Sequence, residues 1–387
     1  MRIVHFLDHV DFRRGGPANA VTTLVRVLRA RGHTARLACL SGPDLPTEWI
    51  DDSPAPTAVI LPCFGARFLS PSGRRSLERL LEQADLLHLH GVWEPANVQA
   101  AGLAHRLGVP VIVSLRGMLD DWCMARGACR KRLFLELGGR RVLERAATVH
   151  CTAEAEREQS FKWFPRGHAT VVPNLMDLTT YAAMPGPAEA RVAFQLPNDG
   201  IPTILFLSRL SEKKGLEHLF AALRLLAVRG HRLRTVVAGT GSPAYVDLLR
   251  REAASLDSCT PVHFVGHVGG PLKCSLFEAS DVFVLPSSQE NFGFVFFESL
   301  AAGLPVITTD LVDTWKEIEE SGGGIITRQE AGSIADAIER AVADRDALRA
   351  RGAAGRAWVL EHLCTDRVAE RFESMYRLAL EHSPSSR

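Results

Sequence analysis

The same pattern is written twice along this chain. An apolar run over 3–7 is followed by a polar loop with Arg13-Arg14-Gly15-Gly16-Pro17, then by apolar residues at Val21, Leu24, Val25 and Leu28, then by Arg31-Gly32-His33 and a second apolar run over 35–40. Further on, an apolar run over 202–207 leads to a polar loop over 208–215, apolar Leu216, Leu219, Phe220 and Leu223, Arg229-Gly230-His231, and another apolar run over 235–238. The i, i+3, i+4, i+7 spacing predicts an amphipathic helix resting on a sheet. Strand, loop, helix and strand in this order predict an α/β fold in which each half opens its own doubly wound parallel sheet. At 387 residues the chain also exceeds one ordinary core. The expected domains are 1–178 and 179–387, joined by a weakly periodic linker holding Pro185 and Pro187.

The densest chemistry lies at Glu290-Asn291-Phe292-Gly293-Phe294-Val295-Phe296-Phe297-Glu298. The β-branched and aromatic run over 281–285 predicts a buried strand, ended by Pro286-Ser287-Ser288, and Gly303 with Pro305 ends a helix expected over 292–302. The amides of Asn291, Phe292 and Gly293 would then open a helix, where unpaired N–H groups and the helix dipole attract phosphate. Glu290 stands in the loop beside them and Glu298 lies along the helix. Since that helix is apolar nearly all round, Glu298 requires a partner.

Other candidates sit at strand exits. Arg209 and Lys214 follow the run over 202–207 and suit a diphosphate, one as a planar fork and one as a point charge. Gly239-Thr240-Gly241 and the run through Gly266 and His267 are candidate walls for a nucleobase, and Gly15 and Gly16 permit close backbone approach to a ligand. Arg116 leaves the run over 109–115, at the edge where open α/β sheets bind ligands. His88 and His90 share a strand face, which fits core histidines better than a metal pair. Residues 126–145 alternate Arg126, Arg130, Lys131, Arg132, Arg140, Arg141 and Arg145 with leucines, predicting a basic amphipathic helix able to touch anionic lipid or an anionic acceptor.

A net charge of +1 argues against bulk nucleic-acid binding. No apolar run approaches the roughly 20 residues that span a bilayer, and the first residues read as a strand, without the flanks of a signal peptide. Eight cysteines without Cys-x-x-Cys spacing point to a reduced cytoplasmic protein with no zinc site.

Taken together, these residues resemble the family 4 retaining glycosyltransferases, of the kind found as group 1 enzymes in polysaccharide assembly. The likeness rests on Glu290-x7-Glu298 followed by Ala301-Ala302-Gly303-x-Pro305-Val306, on Ser208-Arg209-Leu210 with Lys214-Gly215, and on Gly15-Gly16-Pro17. It implies a GT-B fold, two Rossmann-like domains facing a cleft, with the last helix crossing back to the first domain. It also implies a metal-independent enzyme without a cofactor, working on a UDP or GDP type sugar and a glycan, lipid-linked or small acceptor; the expected place is the cytoplasm, with the basic stretch 126–145 able to touch the inner face of the membrane. In the resemblance Glu290 and the amides of Asn291, Phe292 and Gly293 hold the donor sugar, Glu298 the ribose, and Arg209 and Lys214 the diphosphate, with Gly15 and Gly16 closing on the phosphates; His267, from the nucleobase wall read above, joins them as a donor-binding candidate. Many relatives have His near the reacting sugar where this chain has Arg116, which cannot act as a base near neutral pH but can donate to a phosphate or sugar oxygen. Two alternatives share the residue set: a GT-B epimerase or phosphorylase, and a nucleotide-sugar-binding protein without catalysis.

Overall fold

A computed structural model describes residues 1–12, 16–50, 56–65 and 67–381. The chain forms two compact units, one made of Met1–Met176 and the segment that begins at Thr365, the other of Asp177–Cys364. In the first unit the strands are β1 (Arg2–Leu7), β2 (Thr34–Cys39), β3 (Ala58–Ile60), a small antiparallel ribbon of β4 (Cys63–Phe64) and β5 (Phe68–Leu69), β6 (Leu86–His90), β7 (Val111–Ser114), β8 (Thr148–Cys151) and β9 (Ala169–Val171). Seven of them make one sheet in the order β3-β2-β1-β6-β7-β8-β9. The second unit holds β10 (Thr203–Leu207), β11 (Arg234–Ala238), β12 (Val262–Gly266), β13 (Val282–Leu285), β14 (Val306–Thr309) and β15 (Gly324–Thr327), ordered β12-β11-β10-β13-β14-β15.

All pairings within these two sheets are parallel. Chain direction across each sheet reverses once, between β1 and β6 and again between β10 and β13. Loops leaving the carboxyl ends of those strands diverge and leave a crevice, the usual ligand position in such sheets.

The helices bury the faces their spacing predicts. Helix Gly16–Ala30 buries Val21, Leu24, Val25 and Leu28, and helix Leu216–Val228 buries Leu216, Leu219, Phe220 and Leu223. Each fully buried leucine or phenylalanine contributes about 2 kcal/mol.

The repeated Arg-Gly-His has the same use in both units. The glycine follows the helix in a left-handed conformation, with φ of 85° at Gly32 and 84° at Gly230, and the next amide closes the turn: His33 N–H donates to the Leu28 carbonyl and His231 N–H to that of Leu226. The flanking cation and imidazole then grip one carboxylate. Arg31 and His33 hold Glu373 at 2.7 and 3.1 Å, while Arg229 and His231 hold Glu339 at 2.6 and 2.8 Å. In the first unit the gripped residue lies on the last helix, Thr365–Glu381, which also buries Val368, Phe372, Met375 and Tyr376.

The structure departs from the sequence reading in three places. The helix expected over 292–302 is Phe294–Ala301, because Gly293 adopts φ 62° and stands outside it. The basic stretch 126–145 is not one helix. It breaks into Ala128–Phe134, a wide turn over Leu135–Gly139 and Arg140–Arg145, with Gly138 at φ 141°. The stretch over 41–82, rich in Pro and Ser and without a clear periodic signal in the sequence, contains helix Pro71–Leu81, started by the Ser70 hydroxyl accepting the Gly73 N–H at 3.1 Å with proline at its head. No helix among the described residues is long and apolar enough to cross a membrane.

Candidate functional site

In the second unit, the loops after β10 and β13 close on each other. The β10 loop ends in Glu212–Lys214, a single 3-10 turn, followed by Gly215 at φ 71°. A Cβ at Gly215 would lie 2.1 Å from the Pro286 carbonyl oxygen, so any other residue would force the two loops apart. The Ser288 amide donates to the Lys213 carbonyl at 2.8 Å, and the Lys213 ammonium donates to Gln289 Oε1 at 3.1 Å.

This contact delivers Lys214 to Glu290. The Lys214 ammonium is hydrogen-bonded to Glu290 Oε1, which also lies 3.0 Å from the Ser287 hydroxyl. Both side chains are largely buried, 8% and 14% exposed. The segment beyond Glu290 is fastened to the loop after β14. Asp313 N–H donates to the Glu290 carbonyl at 2.8 Å, Asn291 Nδ2 to Asp313 at 3.1 Å, and the Thr314 hydroxyl to the Phe292 carbonyl at 3.0 Å. Phe292 packs on Phe294 and Phe297, with ring centroids 5.0 and 4.8 Å away. At Gly293 a Cβ would meet the Phe296 ring at 2.5 Å. Helix Phe294–Ala301 therefore starts beside the ion pair without a side-chain cap.

Glu298 lies on that helix with its partner supplied: Lys273 Nζ stands 2.8 Å from Glu298 Oε1. Lys273 is the partner that the sequence pattern leaves unnamed. It belongs to helix Gly270–Glu278, and a lysine set among Leu272, Cys274, Leu276 and Phe277 is the signal that marks it. Arg209 is exposed and makes no side-chain hydrogen bond among the described residues. Its neighbour Leu210 is pinned to the next strand exit by donating to the Thr240 carbonyl at 2.8 Å. His267, one residue past β12, is exposed too. The second unit thus brings Lys214, Glu290, Asn291, Phe292 and Gly293 together at one crevice.

The first unit carries the remaining candidates. Gly16 opens helix Gly16–Ala30, and Gly15 lies outside the described residues. Arg116 follows β7 in a left-handed conformation, φ 58°, that is rare for a side chain of its size. It is only 8% exposed. One guanidinium nitrogen donates to Asn174 Oδ1 and another meets His90 Nδ1 at 3.1 Å, while Nε has no partner among the described residues. Burial pulls its pKa down to about 10, against the opposing pull of Glu156 and Tyr376, so it remains a cation at neutral pH. Arg116 is therefore committed to its own unit's core.

Beside it runs a buried polar seam that β-sheet register assembles. His5 pairs with His88 across β1 and β6, and Ser114 joins His90 to His150 across β6, β7 and β8. Donor directions follow from the ends. A guanidinium only donates, so His90 Nδ1 accepts, and His90 Nε2–H donates to His5 Nδ1 at 3.1 Å, leaving His5 Nε2 unpartnered among the described residues. On the other branch His150 Nε2–H donates to the Val172 carbonyl at 2.7 Å. The Ser114 hydroxyl then donates to His150 Nδ1 at 2.6 Å, His88 Nε2–H to Ser114 at 2.7 Å, and the Tyr376 hydroxyl to His88 Nδ1 at 3.0 Å. Burial, reinforced by Arg116, pulls the pKa of His5 and of His150 down to about 3. Burial holds His88 and His90 well below the ordinary value as well.

Ligand atoms of His5, His88 and His90 come within 4.8 Å of one another. Both nitrogens of His88 and of His90 are nevertheless engaged in the seam, and a guanidinium adjoins it, a donor set ill suited to a second cation.

A family model described as group 1 glycosyl transferases matches residues 189–358, and one described as a glycosyl transferase 4-like domain matches residues 15–175. An uncharacterized glycosyltransferase of Methanocaldococcus jannaschii is 31% identical over 46% of this chain and 45% of its own length, so the chain spans about half of that relative. A GDP-mannose-dependent alpha-(1-6)-phosphatidylinositol monomannoside mannosyltransferase of Mycobacterium tuberculosis is 27% identical over 83% of this chain and 82% of its own. Among solved structures, Anabaena HepE in complex with UDP has the same fold, with a TM-score of 0.76 at 17% identity, over 97% of this chain and all of that one.

The neutral histidine seam sets a pH dependence. Unfolding frees each imidazole to take a proton near pH 6.5, so the stability held above that pH is lost as pH falls toward 3, by up to about 1.4 kcal/mol per unit for each histidine. Urea unfolding between pH 6.5 and 5, where carboxylates remain ionised, should show a steep loss of stability in the wild-type chain and a shallower one in His5→Gln. A flat profile over this window would contradict the seam.

Proposed function

The chain belongs to the group 1 glycosyl transferases, and from that premise we propose that it moves a sugar from a nucleoside diphosphate sugar to a hydroxyl of a glycan, lipid-linked or small acceptor, with retention at the anomeric carbon and without a metal. The observation that carries this reading is the buried pair of Lys214 and Glu290 at the crevice between β10 and β13. A diphosphate leaving group needs positive charge held in place as the glycosidic bond breaks. Lys214, Arg209 and the uncapped start of helix Phe294–Ala301 offer it. When the donor enters, its phosphate takes Lys214 as counter-ion, and the Glu290 carboxylate turns to the sugar hydroxyls. Glu298, held by Lys273, receives the ribose hydroxyls.

The metal-independent reading draws on the same cations. It also draws on the fate of Asp344-Arg345-Asp346, the chain's Asp-x-Asp, in which Asp344 caps helix Arg345–His362 by accepting the amides of Asp346 and Ala347 at 3.0 Å. Both uridine and guanosine donors fit the reading, since the structural neighbour was solved with UDP and the mycobacterial relative is GDP-mannose-dependent. Arg116, fixed by His90 and Asn174, serves the acceptor side by shaping the exit of β7.

A surface feature supports peripheral contact with an anionic membrane. Leu133 and Leu137 are 57% and 78% exposed, and Arg130, Arg132 and Arg141 beside them have no side-chain partner among the described residues. Exposed leucines interleaved in sequence with arginines match an interface of hydrocarbon and anionic head groups.

Replacing Glu290 with Ala should lower transfer at least about a hundredfold while keeping nucleoside diphosphate binding, and Arg209→Ala should weaken that binding about tenfold. Normal turnover by the Glu290 variant would remove the assignment, and donor consumed without acceptor would instead indicate an epimerase. For the membrane face, co-sedimentation with anionic vesicles should fall in a chain carrying Arg130→Ala, Arg132→Ala and Leu137→Ser; unchanged partitioning would discard it.

A further inference from the structure

The first unit contains a cavity that the proposed transfer does not use. It has a volume of about 750 Å³ and lies at the edge where β7 and β8 begin, lined by Val111 and Thr148, the first residues of those strands. Arg116 leaves β7 at the other end, so the cavity and the expected ligand edge are separated by the length of the strand, roughly 13 Å at 3.3 Å per residue. Met375, Leu378 and Ala379 of the last helix form the opposite wall. A second hollow of about 420 Å³ adjoins it, sharing Thr170, Met375 and Leu378.

The lining has a one-sided chemistry. Its ionisable members are His105, Arg145 and His168, with no carboxylate among the described lining residues of the larger cavity. None of the three makes a side-chain hydrogen bond or ion pair among the described residues, whereas neighbouring Arg166 is paired with Glu144. Positive potential is already felt there: the pKa of His105 is pulled below its ordinary value, first by burial and then by Arg145 and Arg141. The rest of the wall is aliphatic, with no phenyl, phenol or indole ring to stack on a nucleobase. Thr148 and Thr170, 2.9 Å apart, add a hydroxyl pair.

From this we infer that the cavity beneath the last helix is a binding site for a phosphate group carried on an aliphatic body, the phosphate held by Arg145 with His105 and His168 and the chain laid against Val111, Met375 and Leu378. A planar guanidinium suits the phosphate oxygens. The volume falls within the usual range of small-ligand sites, about 300–1,000 Å³. The site does not depend on the donor assignments in the second unit.

Isothermal titration of the full chain with octyl phosphate, in excess UDP and GDP to fill any nucleotide site, tests this. The expected result is one saturable site, weakened about tenfold by Arg145→Ala and by Leu378→Ser and unchanged in Arg349→Ala, an exposed arginine of the second unit, with inorganic phosphate weaker and neutral octyl glucoside not bound. Vesicles containing phosphatidic acid, compared with soluble octyl phosphate, distinguish a lipid source from a dissolved one. Absence of saturable binding, equal binding of the neutral amphiphile, or wild-type affinity in Arg145→Ala would overturn the inference.

Discussion

A buried ion pair holds the crevice of the second unit together. Removing an ammonium and a carboxylate from water costs several kcal/mol each, and their attraction recovers this only with good geometry and further hydrogen bonds. The chain provides both: Ser287 adds a second donor to Glu290, and Gly215 lets the lysine loop touch the Pro286 carbonyl. Such a pair adds little net stability over an apolar one of equal volume. In the proposed reaction its use is exchange: Lys214, held by the Glu290 carboxylate, takes the donor's phosphate in its place.

The same economy of parts appears in the scaffold. Each unit ends the helix after its first strand with Arg-Gly-His, and each time the arginine and histidine close on a glutamate of a later helix. In the first unit this grip and the Tyr376 hydroxyl on His88 bind the final helix to the sheet. The last helix then covers two features at once: the neutral histidine seam that fixes Arg116, and the cationic cavity at the opposite edge of the sheet. A chain segment far from the sheet in sequence thereby becomes part of its core.

Periodicity makes the inner strands of the two sheets and the helices after β1 and β10 legible, since strands buried on both faces and helices buried on one leave simple patterns of apolar residues, whereas the edge strands β3 and β15 leave no such pattern. The requirement that Glu298 have a partner was legible as well, but Lys273 was not, because contact between two helices depends on packing that no local spacing encodes. The basic stretch 126–145 has the charge and leucine content of one helix, but Gly138 at φ 141° breaks it. His88 and His90 were visible as a strand-face pair. The seam they join needed the registers of β1, β7 and β8 and a tyrosine from the chain's last helix, which are relations across hundreds of residues.

The central claim is that Lys214 leaves Glu290 for the donor's diphosphate. Calorimetric binding of a nucleoside diphosphate to the wild type, Lys214→Met and Glu290→Gln tests it most directly. The account predicts binding weakened at least about tenfold by Lys214→Met and tightened by Glu290→Gln, which frees the lysine. Wild-type affinity in Lys214→Met, or loss of binding in Glu290→Gln with the fold intact, would contradict it.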